Sequence, residues 1–368
     1  MPGGLPVIER IRGKVESGER LSAEECLYLY RHGDLLDLGA LANLVRERKN
    51  GNVTYFIVNR HLNYTNLCVN RCRFCAFSRE PGAQGGYAMT VPEIVEAATS
   101  VPGRFTELHI VGGLHPDLPF SYYLEMLSSL KAVLPNIHLQ AFTAVEIAHI
   151  AQVAGLSVRE TLEQLIAAGL GSLPGGGAEV FSARVREAVC PVKLSGEEWL
   201  GVMRAAHALG LRSNATMLYG HLETPEEKVD HLLRLRALQD ETSGFMAYIP
   251  LAYHSGNTDL GGRPSTTGVE DLREVAIGRL ALDNFDHVKS FWIMQGLKLA
   301  QVSLSFGADD LDGTVTEERI THAAGATTPQ SLTRDELCAL IREAGRVPVE
   351  RDTVYTVCAT GAPGGATL

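Results

Sequence analysis

Asn63-Tyr-Thr-Asn-Leu-Cys68-Val-Asn-Arg-Cys72-Arg-Phe-Cys75-Ala-Phe-Ser78 carries three cysteines within eight positions, behind a β-rich run and ahead of a helix. Three thiolates on one tight loop can bind three irons of a [4Fe–4S] cubane, because such clusters are held by cysteine sulfur. The fourth iron then lacks a protein thiolate and is open to a small chelating molecule. A structural zinc knot is the competing reading. Tetrahedral zinc takes four ligands, usually as two separated pairs, and no fourth Cys or His stands at a suitable spacing. A redox dithiol needs only Cys72 and Cys75 and leaves Cys68 unexplained. Cys190, Cys338 and Cys358 are isolated and read as small core residues.

Outward from this loop, short β-rich runs alternate with helices. The predicted strands are Val53–Asn66, of which only the second half belongs in the main sheet, then Glu107–Gly113, His138–Thr143, Gly169–Leu173, Arg212–Tyr219, Phe245–Tyr253, His287–Met294 and Val302–Phe306. Helices are predicted near 91–101, 120–134, 145–168, 195–209, 225–242, 268–283 and 296–301. Several begin with S/T-x-x-E capping boxes: Thr90/Glu93, Ser157/Glu160, Ser195/Glu198, Thr224/Glu227 and Thr267/Glu270. Each box satisfies amide groups that a helix start leaves exposed. Eight strands alternating with helices predict an α/β fold, a (β/α)8 barrel of the TIM type. An open doubly wound sheet is the alternative.

Residues 1–50 read as a helical extension, with a Ser22/Glu25 box and a second helix over Leu35–Arg48. The barrel core is expected over 51–310. A C-terminal extension over 311–368 carries a helix near 317–324, a capped helix from Thr333, and β-like Arg346–Val349 and Thr353–Val357. Its last eight or so residues are Gly-rich and expected to be disordered.

The 368 residues are 45% hydrophobic and 21% charged, enough for a large core and too apolar for disorder. A formal charge of −10 without a basic cluster argues against nucleic acid as partner. No signal peptide and no membrane-spanning run is evident, so a cytoplasmic protein without membrane insertion is expected. Seven cysteines, three of them crowded together, suit a reducing compartment.

The Cys68-x-x-x-Cys72-x-Phe74-Cys75 pattern, after a strand and before a helix, is the signature of the radical S-adenosylmethionine (SAM) superfamily, and the chain resembles it. That resemblance implies a [4Fe–4S] cluster with three Cys ligands plus SAM. It places Phe74 beside the adenine and likens Gly112-Gly113 to the superfamily's glycine motif, which meets the SAM amino group. From about residue 20 to 358 the chain is similar to the menaquinone and deazaflavin branch. The segments Val111-Gly-Gly-Leu-His115-Pro, His138-Leu-Gln-Ala-Phe-Thr143-Ala-Val-Glu146-Ile, Leu173-Pro-Gly175-Gly-Gly-Ala-Glu179, Tyr219-Gly-His221-Leu-Glu223-Thr, Tyr248-Ile-Pro-Leu-Ala-Tyr-His254 and Ala308-Asp-Asp-Leu-Asp-Gly-Thr resemble the aminofutalosine synthase family.

What that resemblance implies is a transferase in menaquinone biosynthesis. SAM and 3-[(1-carboxyvinyl)oxy]benzoate would give 6-amino-6-deoxyfutalosine, methionine and bicarbonate. The 5′-deoxyadenosyl radical would add to the enol-ether double bond, and a flavodoxin or ferredoxin would supply the electron. The dehypoxanthine futalosine cyclase and the deazaflavin-cofactor synthase are the alternatives within the branch. A metal-binding structural or sensor protein is the alternative outside it. Glu146 and Glu179 are candidate acceptors for SAM ribose hydroxyls or the adenine amine. Gly175 and Gly176 permit close backbone approach to SAM. Two substrate carboxylates call for donors, for which Arg60, His61, His115, His221 and His254 are candidates. His115 and His221 are preferred as catalytic groups. Asn63, Asn66, Gln140, Asn214 and Tyr219 are second choices as neutral hydrogen-bonding groups.

Overall fold

The computed structural model describes residues 6–100, 104–260 and 264–358. Strand β1 (Val53–Ile57) runs almost directly into β2 (Asn59–Leu62). There follow β3 (Glu107–Ile110), β4 (His138–Ala141), β5 (Ser172–Leu173), β6 (Arg212–Tyr219), β7 (Phe245–Ala252), β8 (His287–Val288), β9 (Asp310–Gly313) and β10 (Val347–Arg351). Strands β2 to β8 form one seven-stranded sheet in sequential order, and every neighbouring pair is parallel. A doubly wound sheet reverses its strand order partway, whereas a barrel does not. The sequential order therefore selects the TIM-type barrel.

The Val53–Asn66 run divides as its sequence suggests. Its second half, β2, belongs to the barrel sheet, while β1 pairs with β9 and β10 in a separate three-stranded sheet. The eighth place in the barrel is filled differently from expectation. Asp309 N donates to Val288 O (3.1 Å) and Ser290 N to Asp310 O (2.8 Å), and on the other side His61 N donates to Thr316 O (2.8 Å). Residues 309–316 thus lie in the seam between β8 and β2. The boundary expected at residue 310 falls inside this segment.

The strand predicted over Val302–Phe306 is a correction. Its alternation of apolar residues with serine mimics period two, but the chain there is helical over Leu297–Ser303. A strand would bury Val302 with Leu304; instead Val302 is 46% exposed while Ala300, Ser303 and Leu304 are buried at helical spacing. Likewise the strand predicted over His287–Met294 ends at Val288, and Trp292–Gln295 is a short helix. The stretch 145–168 is two helices, Ala144–Ala154 and Val158–Ala168, separated at Gly155 in the left-handed region. Thr353–Val357 is a turn held by Asp352 and touches Arg351 through a single bridge. Helix Val7–Ser17 lies in the extension read as helical, ahead of the two helices singled out there, whereas Ala183–Val189 was not foreseen. The Gly-rich terminus expected to be disordered lies outside the described residues.

All six capping boxes read from the sequence are present, including Ser22/Glu25. Two more occur at Thr143/Glu146 and Thr333/Glu336. The N-terminal helices Ala23–His32 and Leu35–Asn50 pack on the helices Pro225–Thr242 and Gly268–Ala281. Tyr30 Oη donates to Glu274 Oε2 (2.8 Å) in that buried seam. Among the described residues no helix is long and apolar enough to cross a membrane.

Candidate active site at the barrel mouth

A cavity of about 300 Å3 opens where the loops after β2, β3, β4 and β5 meet. Cys68, Cys72, Phe74 and Cys75 line it, together with Gly112, Gly113, Glu146, Gly175 and Gly176. Sequence positions more than a hundred residues apart thus meet at the C-terminal end of the sheet, where barrel sites form.

The cysteine loop is held by backbone. Cys68 N donates to Arg79 O (3.1 Å), Val69 N to Leu114 O (3.1 Å) and Cys75 N to Cys72 O (2.9 Å). Gly113 N donates to Thr65 O (2.9 Å), which ties the turn after β3 to the loop. A Cβ at Gly113 would stand 2.2 Å from Leu67 O and 3.0 Å from Cys68 Cβ. Only glycine lets the two segments approach this closely.

Three thiols facing one cavity fit a cubane. Among the described residues no three Cys, His, Asp or Glu side chains converge on one point as a single zinc ion would require. A cluster instead gives each thiolate its own iron, so its ligands stand apart. Cys190, read as a core residue, is buried with its thiol within hydrogen-bonding reach of Cys72.

Glu146 belongs to the mouth but not in the expected role. Its Oε1 accepts from Tyr64 Oη (2.9 Å) and Gly112 N (2.9 Å), and its Oε2 from Thr143 N and Oγ1 (both 2.8 Å). Four donors occupy its lone-pair sites, so none remains for a ribose hydroxyl. It caps the helix Ala144–Ala154 and positions Gly112. Burial pushes its carboxyl up to about 7 against those hydrogen bonds.

Glu179 sits in the left-handed region at φ 49° and pairs with the partly buried Lys193. Burial favours the neutral acid, but the Lys193 charge outweighs it and holds Glu179 below its usual range. Lys193 lines the main cavity and stands 5.3 Å over the Phe74 ring. Glu179 lines an adjoining cavity of about 160 Å3, which shares Phe74, Cys75 and Met294 with the first. Gly175 is pressed against β6: a Cβ there would lie 2.8 Å from the Asn214 carbonyl.

The deeper wall is polar. His61, His109 and Gln140 lie in register on β2, β3 and β4. His61 and His109 stack at 4.5 Å, and His109 Nδ1 meets Gln140 Oε1 (3.0 Å). Lys289, just past β8, pairs with Asp312 of β9 (3.2 Å). Burial, then the neighbouring His109, lowers the His61 pKa to about 3, so its ring is neutral. His61 Nε2 and Asn214 Oδ1 are buried on this wall without a protein partner.

The two preferred histidines are corrections. His115 lies outside the cavity lining, and its Nδ1 accepts from Asp117 N (3.0 Å). His221 is buried in its own turn, bonded to Leu218 O and Leu222 N (both 2.8 Å). A ring committed to its own backbone shapes a turn rather than meeting substrate. Of the other candidates, Arg60 points outward to Glu317 and Ala98 O. His254 reaches Met294 O (2.9 Å) beside the adjoining cavity. Asn63 and Asn66 brace backbone, and Tyr219 donates to Asp271 (2.7 Å). Gln140 and Asn214 do line the cavity, with His61. The sequence reading missed His109, Lys193, Lys289 and Asp312. For Lys289 a signal existed, a lone lysine inside an apolar β-rich run.

Comparison with known proteins places these features in a family. Residues 62–235 match the radical SAM superfamily and residues 242–362 the CofH/MqnC C-terminal region. The chain is 49% identical to the aminodeoxyfutalosine synthase of Thermus thermophilus, over 96% of this chain and 95% of that protein. It is equally similar, at 49%, to the enzyme of that name from Streptomyces coelicolor, over 97% and 95%. Identity to the cyclic dehypoxanthine futalosine synthase of Streptomyces coelicolor is 40%, over 95% and 88%. The crystal structure of methylornithine synthase superposes with a TM-score of 0.72 at 17% identity, covering 92% of this chain and 97% of that one, a likeness of fold alone.

Proposed function

This chain belongs to the radical SAM superfamily, and from that membership we propose that it performs the aminodeoxyfutalosine synthase reaction. SAM, 3-[(1-carboxyvinyl)oxy]benzoate and water are converted to 6-amino-6-deoxyfutalosine, methionine, bicarbonate and a proton in menaquinone biosynthesis. The observation that carries the reading is a single cavity with three thiols and the Gly112–Gly113 turn at its mouth and polar groups of several strands on its inner wall. The 49% identity to aminodeoxyfutalosine synthases along nearly the whole chain supports it over the cyclase, at 40%.

Cys68, Cys72 and Cys75 would hold the [4Fe–4S] cluster, which with SAM bound would supply the 5′-deoxyadenosyl radical on one-electron reduction. The chain's own work is positional. Phe74, braced by Lys193, would flank the adenine, and the backbone of Gly112 and Gly113 would meet the SAM amino group. Glu146 fixes the Gly112 amide from behind. Gly175 and Gly176 let the loop after β5 approach SAM, and Glu179, anchored by Lys193, offers an acceptor at its edge. Val111, Leu114, Val145 and Phe291 keep water from the reacting carbons. A low-potential flavodoxin or ferredoxin supplies the electron, in the cytoplasm. The catalytic core begins near residue 51 and runs through the barrel-closing segment 309–316, with an extension on either side.

The test is an anaerobic reaction of the reconstituted protein with SAM, reductant and the enol ether, followed by mass spectrometry. The adenosine-linked adduct, formed as SAM disappears, is the expected product. Free 5′-deoxyadenosine without an adduct would refute the assignment.

A further inference from the structure

Taking the proposed reaction as given, we infer that the carboxylate on the aromatic ring of the substrate seats on the barrel's inner wall, against Lys289 Nζ and the unpartnered Nε2 of His61. Geometry and tethering both lead there. The double bond that reacts must lie at the mouth, beside the cysteine loop and Gly112–Gly113. The enol carboxylate is attached to that double bond and stays near it. The ring carboxylate projects from the far side of the ring, away from the mouth. A buried carboxylate needs a charged or hydrogen-bonding partner.

The deep wall has one. Lys289 is 5% exposed and lines the cavity; Asp312 takes one hydrogen bond (3.2 Å) from an ammonium that has three donors. His61 Nε2 is buried with no protein partner, and the ring is fixed in place by its stack on His109. Ile249, Leu251, Phe291 and Met294 line the same cavity, an apolar surface suited to the ring itself. The carboxylate of Asp312 shares Lys289, so the seat discriminates by hydrogen-bond geometry as well as by charge.

Binding of two probes to the cluster-loaded, SAM-bound enzyme tests the seat by calorimetry: 3-methoxybenzoate and its uncharged counterpart 3-methoxybenzamide. The wild type should prefer the carboxylate by about 100-fold, the scale expected when a buried charge keeps its partner. Lys289→Met should bring that preference to within about threefold, whereas Lys289→Arg should retain at least about tenfold. His61→Phe, which keeps the stack but removes the nitrogens, should cost about tenfold. The ratio is measured on one preparation, so a smaller folded fraction affects both probes alike. An unchanged preference in Lys289→Met, or no preference in the wild type, would overturn the seat. An enzyme that makes the adduct yet shows either result keeps its proposed function and loses this inference. An enzyme that shows the preference but makes no adduct does the reverse.

Discussion

At the mouth of the barrel, main-chain groups do the positioning: Gly113 N to Thr65 O, Val69 N to Leu114 O, Cys68 N to Arg79 O. On the inner wall, side chains contributed singly by β2, β3, β4, β9 and the ends of other strands make the contacts, as in the His61–His109 stack and the Lys289–Asp312 pair. Backbone contacts of a compact loop recur in any sequence with the right glycines and cysteines. Single side chains on different strands can be exchanged one at a time. The mouth is therefore suited to a common radical-generating step, and the wall to choosing a substrate.

The largest effect should come from the mouth. Cys72→Ala should abolish adduct formation, by at least about 10^3-fold, while circular dichroism stays native, because one iron loses its ligand. Iron content per chain checks this. On the wall, Lys289→Met should raise KM for the enol ether by about 100-fold, with a much smaller change in kcat, as expected for a group that binds ground and transition states alike. A fall in kcat alone would erase the contrast between the two regions.

Gly113→Ala is expected to cost about 1–3 kcal/mol of loop positioning, since the new methyl would meet Leu67 O at 2.2 Å. Reductive SAM cleavage should drop accordingly. Gly13→Ala, in the helix Val7–Ser17 with nothing within 4 Å, should be neutral or stabilising by comparison.

Glu146 gives a pH signature. Its ordinary value is 4.5 and its buried value about 7, so the unfolded chain loses this proton first as pH rises. Its contribution should therefore lower stability between those pH values, by roughly 3 kcal/mol, and Glu146→Gln should lack that slope in anaerobic denaturant titrations. Among the mouth residues the smallest expected cost is that of Tyr64→Phe, which removes one buried hydrogen bond to Glu146, about 1 kcal/mol.

Much of the mouth was legible before the fold was known, since Cys68, Cys72, Cys75, Phe74, Gly112 and Gly113 lie in short contiguous motifs. Glu146 was singled out for the wrong role, because a Thr143-x-x-Glu146 box and a ligand-binding carboxylate look alike in one dimension. His115 and His221 were favoured for lying inside family-like segments, yet those segments shape turns. Val302–Phe306 passed for the eighth strand because Val, Leu and Phe alternate with Ser, a pattern that burial against the barrel overrode.

What the sequence determined by itself was local: capping boxes that start helices within four residues, the order of seven strands, and a loop whose three cysteines are sequence neighbours. What only the tertiary structure decided was which distant side chains share a space. Closure of the barrel by residues 309–316 brings Asp312 to Lys289 and both onto the wall with His61, a meeting set by long-range backbone pairing that no local pattern encodes. Local signals act through the few bonds around each residue, whereas the wall exists only once the sheet has curled on itself.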